Sequence, residues 1–289
     1  MAFADFITRT RSLTGLYLVT LPRAWYYWTF KHTQEKKYLR GQLKMELDSP
    51  SVLFFTLNKA GSNIAHWLIE PVLTKKGLVH IDWEGYWATN PEIRENRLFS
   101  NHPDGSLFKN TGFYYGPLRH YVHLRNTGEF KIIVMVRDPR DLLTSHYFSM
   151  TKSHPVLTKK YLDKRIKALK TTIDEHVLNY AHDFHKTFSD YINYLAGKPN
   201  VILLTYEEMV TDTLGWCRKL DEFLGTNGDF ANSVPELQRK GVFASKKEES
   251  GEHVRKIQPG DHKEKLKPAT IEQLNHIFAD VLKKLSYTP

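Results

Sequence analysis

The residues best suited to chemistry are Lys59, Ala60, Gly61, Ser62 and Asn63, in the run T-L-N-K-A-G-S-N at positions 56–63, which follows directly on the apolar S-V-L-F-F. An apolar strand that empties into a short Lys/Gly/Ser loop and then a helix is a seat for an anion. The loop and first helical turn aim backbone N–H groups at the ligand, Gly61 lets the main chain come close, and Lys59 adds a point charge. Ile64, Trp67, Leu68 and Val72 recur at the spacing of one helical face, so the helix starts near Ser62 and Asn63 and Trp67 is expected in the core. The loop is not of the Gly-Lys-Ser/Thr type, because its lysine stands two positions before its only glycine. Alone, it also reads as an ordinary strand-to-helix turn.

A second stretch strengthens the anion reading. F-K-I-I-V-M-V at 130–136 has the continuous apolar character of a central parallel strand, and it ends at once in R-D-P-R-D-L-L-T-S at 137–145. Pro139 suits a first helical turn, Asp138 can cap it, and eight residues bring Ser145 about two turns along from Arg137. An arginine fork at a strand end and a hydroxyl on the next helix can hold one phosphate between them.

Together the two stretches resemble the sulfotransferases that use 3′-phosphoadenosine 5′-phosphosulfate (PAPS). In that family T-x-P-K-S-G-T-T binds the 5′-phosphosulfate and R-[ND]-P-x-D-x-x-x-S binds the 3′-phosphate. Two further segments agree: the strand N-V-I-L-L-T-Y-E-E-M at 200–209, similar to the family's Y-E-[DE]-M strand with its tyrosine by the adenine, and R-K-I-Q-P-G-D-H at 255–262, similar to R-K-G-x-x-G-D-W, which closes over the cofactor. The resemblance spans about residues 50–265. It implies a P-loop-like three-layer α/β/α sulfotransferase fold around a mostly parallel sheet. It also implies cofactor contacts from residues 59–63, Arg137, Ser145, Tyr206, Arg255 and Lys256, with 3′-phosphoadenosine 5′-phosphate (PAP) as product and no metal.

The departures are specific. Asn58, Ala60 and Asn63 differ from the first motif, Ile257 replaces the glycine of R-K-G, and His262 replaces its tryptophan. The adenine-stacking tryptophan falls on Ile64. The histidine of the family's K-T-H-L-P base motif is missing from its nearest counterpart here, L-F-K-N-T-G at 107–112.

What the whole chain allows is consistent with this. At 289 residues a single domain is expected, with residues 1–50 as an N-terminal extension packed on the body and 244–267, rich in Lys, Glu and Gly, as a lid. One cysteine, Cys217, leaves no internal disulfide and reads as a packed thiol, in keeping with a cytoplasmic setting. The apolar stretch at 13–22 has about half the length of a bilayer-crossing helix, so no membrane span is expected. The charge of +9 is spread along the chain, and a ligand carrying a sulfate and two phosphates accounts for it without a nucleic-acid partner. Apolar spacing predicts a long helix over 160–196 and a closing helix over 268–285. His182 and His185 match no zinc motif.

Within the resemblance, Lys59 neutralises the bridging oxygen as the S–O bond breaks, and transfer runs in line. An alcohol acceptor also needs a base; Asp82, Glu84, His102 and His123, all between the two phosphate loops, are the candidates. An amine acceptor would dispense with one. The segment H-I-D-W-E-G-Y-W at 80–87 mixes carboxylates with rings, so Asp82, Trp83, Glu84 and Tyr86 are the expected acceptor contacts for a small, polar or cationic natural product. An ordinary packing loop is the competing reading of that segment. For the chain as a whole, the competing readings are a nucleotide kinase and a nucleotide-binding protein without catalysis.

Overall fold

V-L-F-F-T and K-I-I-V-M-V are apolar at almost every position, as befits strands covered on both faces. In the structure, a computed structural model that describes residues 26–43, 48–89, 105–153, 159–239 and 258–288, these runs lie side by side. The elements are α1 (Thr33–Leu39), β1 (Val52–Thr56), α2 (Ser62–Lys75), β2 (Val79–Ile81), α3 (Trp83–Thr89), β3 (Phe113–Leu118), β4 (Lys131–Val136), α4 (Pro139–Phe148), α5 (Lys159–Leu169) and α6 (Ile173–Tyr194). They continue with β5 (Val201–Thr205), α7 (Tyr206–Thr211), α8 (Thr213–Leu224), α9 (Asp229–Arg239), α10 (Asp261–Lys265), α11 (Pro268–Ile277) and α12 (Ala279–Lys284).

The sheet has the order β2-β3-β1-β4-β5 with every pairing parallel, in a three-layer α/β/α arrangement. Parallel strands put all their carboxyl ends at one edge. The residues that follow those ends, Leu57, Asp82, Arg119, Arg137 and Tyr206, therefore share that edge. The strand order also reverses about β1, with β2 and β3 on one side and β4 and β5 on the other. That reversal opens a crevice at the carboxyl edge, where ligands of such sheets bind. Residues 107–112 enter β3 from its amino end and bond there to Ser49 and Ser51. They lie at the opposite edge, so the family's base motif has no counterpart in them.

Three helical expectations change, the first being that the predicted 268–285 helix is two, α11 and α12, separated at Phe278. The predicted 160–196 helix is two helices, because Thr172 and Glu175 form a reciprocal capping box that starts α6 afresh. Trp67 points out of the body at 53% exposure, while Ile64, Leu68 and Val72 are buried. Cys217 is fully buried, and burial pushes its thiol up to about 12.

The N-terminal part joins the core through α1. Tyr38 is buried, its hydroxyl 2.6 Å from the Leu107 carbonyl and 2.8 Å from the Tyr115 hydroxyl. The buried Glu35 accepts the Asp82 N–H at 2.7 Å. Residues 1–25, with the apolar 13–22 stretch, lie outside the described residues, as do 240–257 of the lid region. No described helix is long and apolar enough to cross a membrane.

Two polar ties hold the carboxyl edge. Tyr191 of α6, fully buried, donates to the Thr56 carbonyl at 2.6 Å, just where β1 gives way to the Lys59 loop. Asp141 of α4 accepts from the Gly260 N–H at 2.6 Å, the His262 N–H at 2.9 Å and His262 Nδ1 at 2.6 Å. Burial alone would raise the Asp141 carboxyl, but His262, Arg137 and the two N–H groups outweigh it and hold it at about 2.

Tyr191→Phe is expected to cost about 1–2 kcal/mol, since it removes the donor to a buried carbonyl; urea unfolding reads this directly. For Asp141 the sign follows from its depressed folded value. Its contribution, about 2 kcal/mol, is complete above pH 4 and drains away as the pH falls toward 2, because the unfolded chain takes up the proton first. Asp141→Asn should therefore be less stable than wild type at pH 6, with a gap that closes by pH 2. A gap unchanged over that range would refute the carboxylate tie.

Candidate active site

The Lys59 loop leaves β1 and turns sharply. Lys59 itself has φ 72°, the left-handed region that a side chain seldom occupies, and Gly61 follows at φ 79°. A non-glycine residue held there costs about 1–3 kcal/mol, and such strain gathers at functional sites. Gly61 is needed for a second reason, since a Cβ there would come within 2.6 Å of the Tyr206 ring. The close approach that Gly61 permits is thus made by an aromatic ring of this chain. α2 then begins at Ser62.

Arg137 follows β4 directly. Its guanidinium donates to the Lys59 carbonyl at 3.0 Å, lies over the Tyr206 ring at 4.3 Å from the centroid, and stands 4.0 Å from Asp141. The two anion grips predicted from sequence are therefore contiguous, with Tyr206 as the floor beneath both. Asp138 caps α4, accepting from the Arg140 N–H, and Pro139 occupies its first turn. That geometry carries Ser145 two turns along, half-exposed on the same helix.

Sequence reasoning missed Arg119. It follows β3, and its Nη2 lies 3.4 Å from Ser62 Oγ and 3.5 Å from Asn63 Oδ1, at the start of α2. Its backbone N–H donates to Glu84 at 2.8 Å. The signal that could have revealed it was positional: β3 neighbours β1, so the residue after β3 faces the residue after β1. That adjacency is a property of strand order and not of spacing along the chain.

Burial, Arg137 and Arg119, in that order, depress the Lys59 ammonium to about 8. Arg137 Nε is buried and has no partner among the described residues. Three crowded cations and one orphaned buried donor are what an anionic ligand relieves, so these residues fit the sulfate and phosphates of PAPS. Among the described residues no group of three or more His, Cys, Asp or Glu side chains is placed to hold a metal ion.

The acceptor-side expectations fare unevenly. Trp83 and Tyr86 are core residues at 1% and 4% exposure, Trp83 packed against Tyr38 and Trp87, so neither offers a ring face to an acceptor. The alternation of rings and carboxylates in 80–87 reflects a helix with one buried face. Asp82 accepts from the Gly85 N–H at 2.8 Å and so caps α3. Its half-exposed carboxylate, like that of Glu84, remains at the carboxyl edge. His123 is exposed in the loop after β3, edge-on to Tyr121. His102, Arg255 and Lys256 lie outside the described residues.

Comparison with known proteins bears on this geometry. Residues 117–286, more than half of the chain, match the family model described as a sulfotransferase domain. Luciferin sulfotransferase of Photinus pyralis is 29% identical over 167 residues, covering 55% of this chain and 41% of that protein. Sulfotransferase 2A6 of Rattus norvegicus is 26% identical over 199 residues, covering 63% and 62%. The chain thus spans less than two thirds of the length of these relatives. Among solved structures, mouse sulfotransferase SULT7A1 complexed with PAP aligns over 86% of this chain and 90% of its own, at 16% identity and a TM-score of 0.47. The family match begins downstream of the Lys59 loop, yet it contains Arg119, Arg137 and Tyr206, which surround that loop, and Ser145. This chain belongs to the sulfotransferase family.

Proposed function

We propose that the protein transfers a sulfonate group from PAPS to a hydroxyl or amine of a small-molecule acceptor, acting as a single domain in the cytoplasm. The observation that carries the reading is the cluster of Lys59, Arg119 and Arg137 at the carboxyl edge of the sheet, with the Arg137 Nε donor left without a partner among the described residues. PAPS, when bound, supplies the activated sulfonate and a phosphate leaving group.

This chain's residues do the rest. Lys59, with the backbone N–H groups at the start of α2, takes the 5′ end and neutralises the bridging oxygen as negative charge develops on it. Arg119, beside Ser62, adds a second positive charge at that end. Arg137 and Ser145 take the 3′-phosphate, and Tyr206 lines the adenine side. Arg255 and Lys256 are assigned to the same phosphate on the strength of the R-K-x-x-x-G-D motif. Asp82 and Glu84 face the acceptor side and favour a polar or cationic acceptor, such as an amine- or guanidinium-bearing natural product.

The decisive test pairs PAP binding by thermal shift with mass spectrometry for the gain of one sulfonate across phenols, aliphatic alcohols, amino sugars and guanidinium compounds. Binding without transfer to any of them would favour a nucleotide-binding protein that lacks catalysis. Lys59→Ala should lower turnover by about 10²–10³-fold, the usual effect of deleting one donor to a developing oxyanion, while the melting temperature stays near wild type. Near-normal turnover would remove Lys59 from the mechanism. Because Lys59 sits at about 8 in the free protein, an arriving anion should push it back up. Above pH 8, PAP binding is therefore expected to take up as much as about one proton, measurable by calorimetry in buffers of different ionisation enthalpy and absent from Lys59→Ala.

A further inference from the structure

The geometry points to His262 as a positioning residue that keeps Arg137 free for the 3′-phosphate, by occupying the carboxylate that would otherwise pair with it. This inference deepens the sulfonate-transfer reading and rests on it. Arg137 donates through Nη1 to the Lys59 carbonyl at 3.0 Å and lies over the Tyr206 ring. Its other edge is open. Nε is buried without a partner among the described residues, and Nη2 stands 4.0 Å from Asp141 Oδ2, beyond hydrogen-bond reach. Nε and Nη2 together form the fork that takes two oxygens of a phosphate or of a carboxylate side by side.

A carboxylate thus stands about 1 Å short of closing that fork. What holds it back is a set of donors from α10 and the residue before it. Asp141 Oδ1 accepts from the His262 N–H at 2.9 Å and from His262 Nδ1 at 2.6 Å, while Oδ2 accepts from the Gly260 N–H at 2.6 Å. A carboxylate offers about four lone-pair sites, so these donors leave little for the guanidinium. Of the three, only Nδ1 belongs to a side chain. An ionised carboxylate only accepts, so Nδ1 carries the proton. The imidazole is buried, and its Nε2 has no partner among the described residues, so the Asp141 bond alone orients the ring.

His262 stands where the family's motif has tryptophan, so this donor belongs to the present chain and not to the motif. Its removal would leave a buried carboxylate short of a hydrogen bond, which is costly. The Arg137 fork is within reach to replace it. A paired Asp141 and Arg137 would spend both Nε and Nη2 on the protein's own carboxylate and leave the 3′-phosphate without its guanidinium. The His262 bond therefore acts on the phosphate through Asp141, and its effect is confined to ligands that carry that phosphate.

The test is calorimetric binding of PAP to the full-length protein, with adenosine 5′-phosphate, which lacks the 3′-phosphate, as the comparison ligand. His262→Phe keeps a ring but no donor; its affinity for PAP should fall about 10–100-fold, the range of one charge-assisted hydrogen bond, while adenosine 5′-phosphate stays within about twofold. Combining Asp141→Asn with His262→Phe should bring PAP affinity back to within about threefold of wild type, because an amide cannot form the ion pair, whereas a role in packing alone would make the double variant worse. His262→Asn, whose amide N–H replaces Nδ1–H, should bind PAP within about threefold of wild type. Asp141→Asn alone should bind it at least as tightly as wild type. These two variants carry the test if His262→Phe does not fold. In turnover, His262→Phe should raise KM for PAPS with little change in kcat. Unchanged PAP affinity in His262→Phe, equal losses for the two ligands, a double variant no tighter than His262→Phe, or weakened PAP binding in His262→Asn or Asp141→Asn overturns the assignment. A wild type that neither binds PAP nor transfers sulfonate fails at the earlier step, and the His262 assignment falls with it.

Discussion

The bond from Arg137 to the Lys59 carbonyl fixes the rest of the site. It joins the loop after β1 to the start of α4, so that two positive groups from strands adjacent in the sheet share one edge. Burial first, and then the like charges of Arg137 and Arg119, depress the Lys59 ammonium. The chain holds the strained arrangement by other means. The Tyr206 ring fills the space under Gly61 and supports the Arg137 guanidinium, while Asp141 supplies a partial counter-charge. A site built in this way is preorganised for negative charge, because the cost of crowding the cations is met in folding and not at the moment of binding.

Asp141 connects this edge to the C-terminal part of the chain. One carboxylate contacts Arg137 and also accepts three bonds from Gly260 and His262, so a change at Arg137 is felt at the segment that begins at Gly260. His262, where the family's motif has tryptophan, makes a directional hydrogen bond to Asp141. The end of the chain braces the same helix, with Tyr287 on Glu207, which in turn accepts the Asp138 N–H, and Thr288 on Arg140. Three stretches far apart in sequence thus converge on the first turn of α4.

The β2–β3 side of the sheet is built differently. The rings of Trp83 and Tyr86 belong to the core, Asp82, Glu84 and Arg119 stand at the carboxyl edge, and His66, His80 and the fully buried Tyr114 stack against one another. A buried polar group is costly unless it is bonded, and these are bonded to one another or to backbone.

Sequence by itself determined what depends on neighbours along the chain. The strand apolarity of V-L-F-F and K-I-I-V-M-V, the helix starts at Ser62 and Pro139, the Asp138 cap and the order of the cofactor motifs are all local, and local sterics and hydrogen bonding decide them. Tertiary structure alone decided what depends on strand order. Arg119 reaches Ser62 because β3 lies next to β1, Gly61 is required by a tyrosine nearly 150 residues away in sequence, and Trp67, apolar and on the right period, faces outward. The 107–112 segment failed as a base motif for the same reason: in a parallel sheet, residues before a strand and residues after it lie at opposite edges, and no spacing within one segment reveals which edge will carry the site.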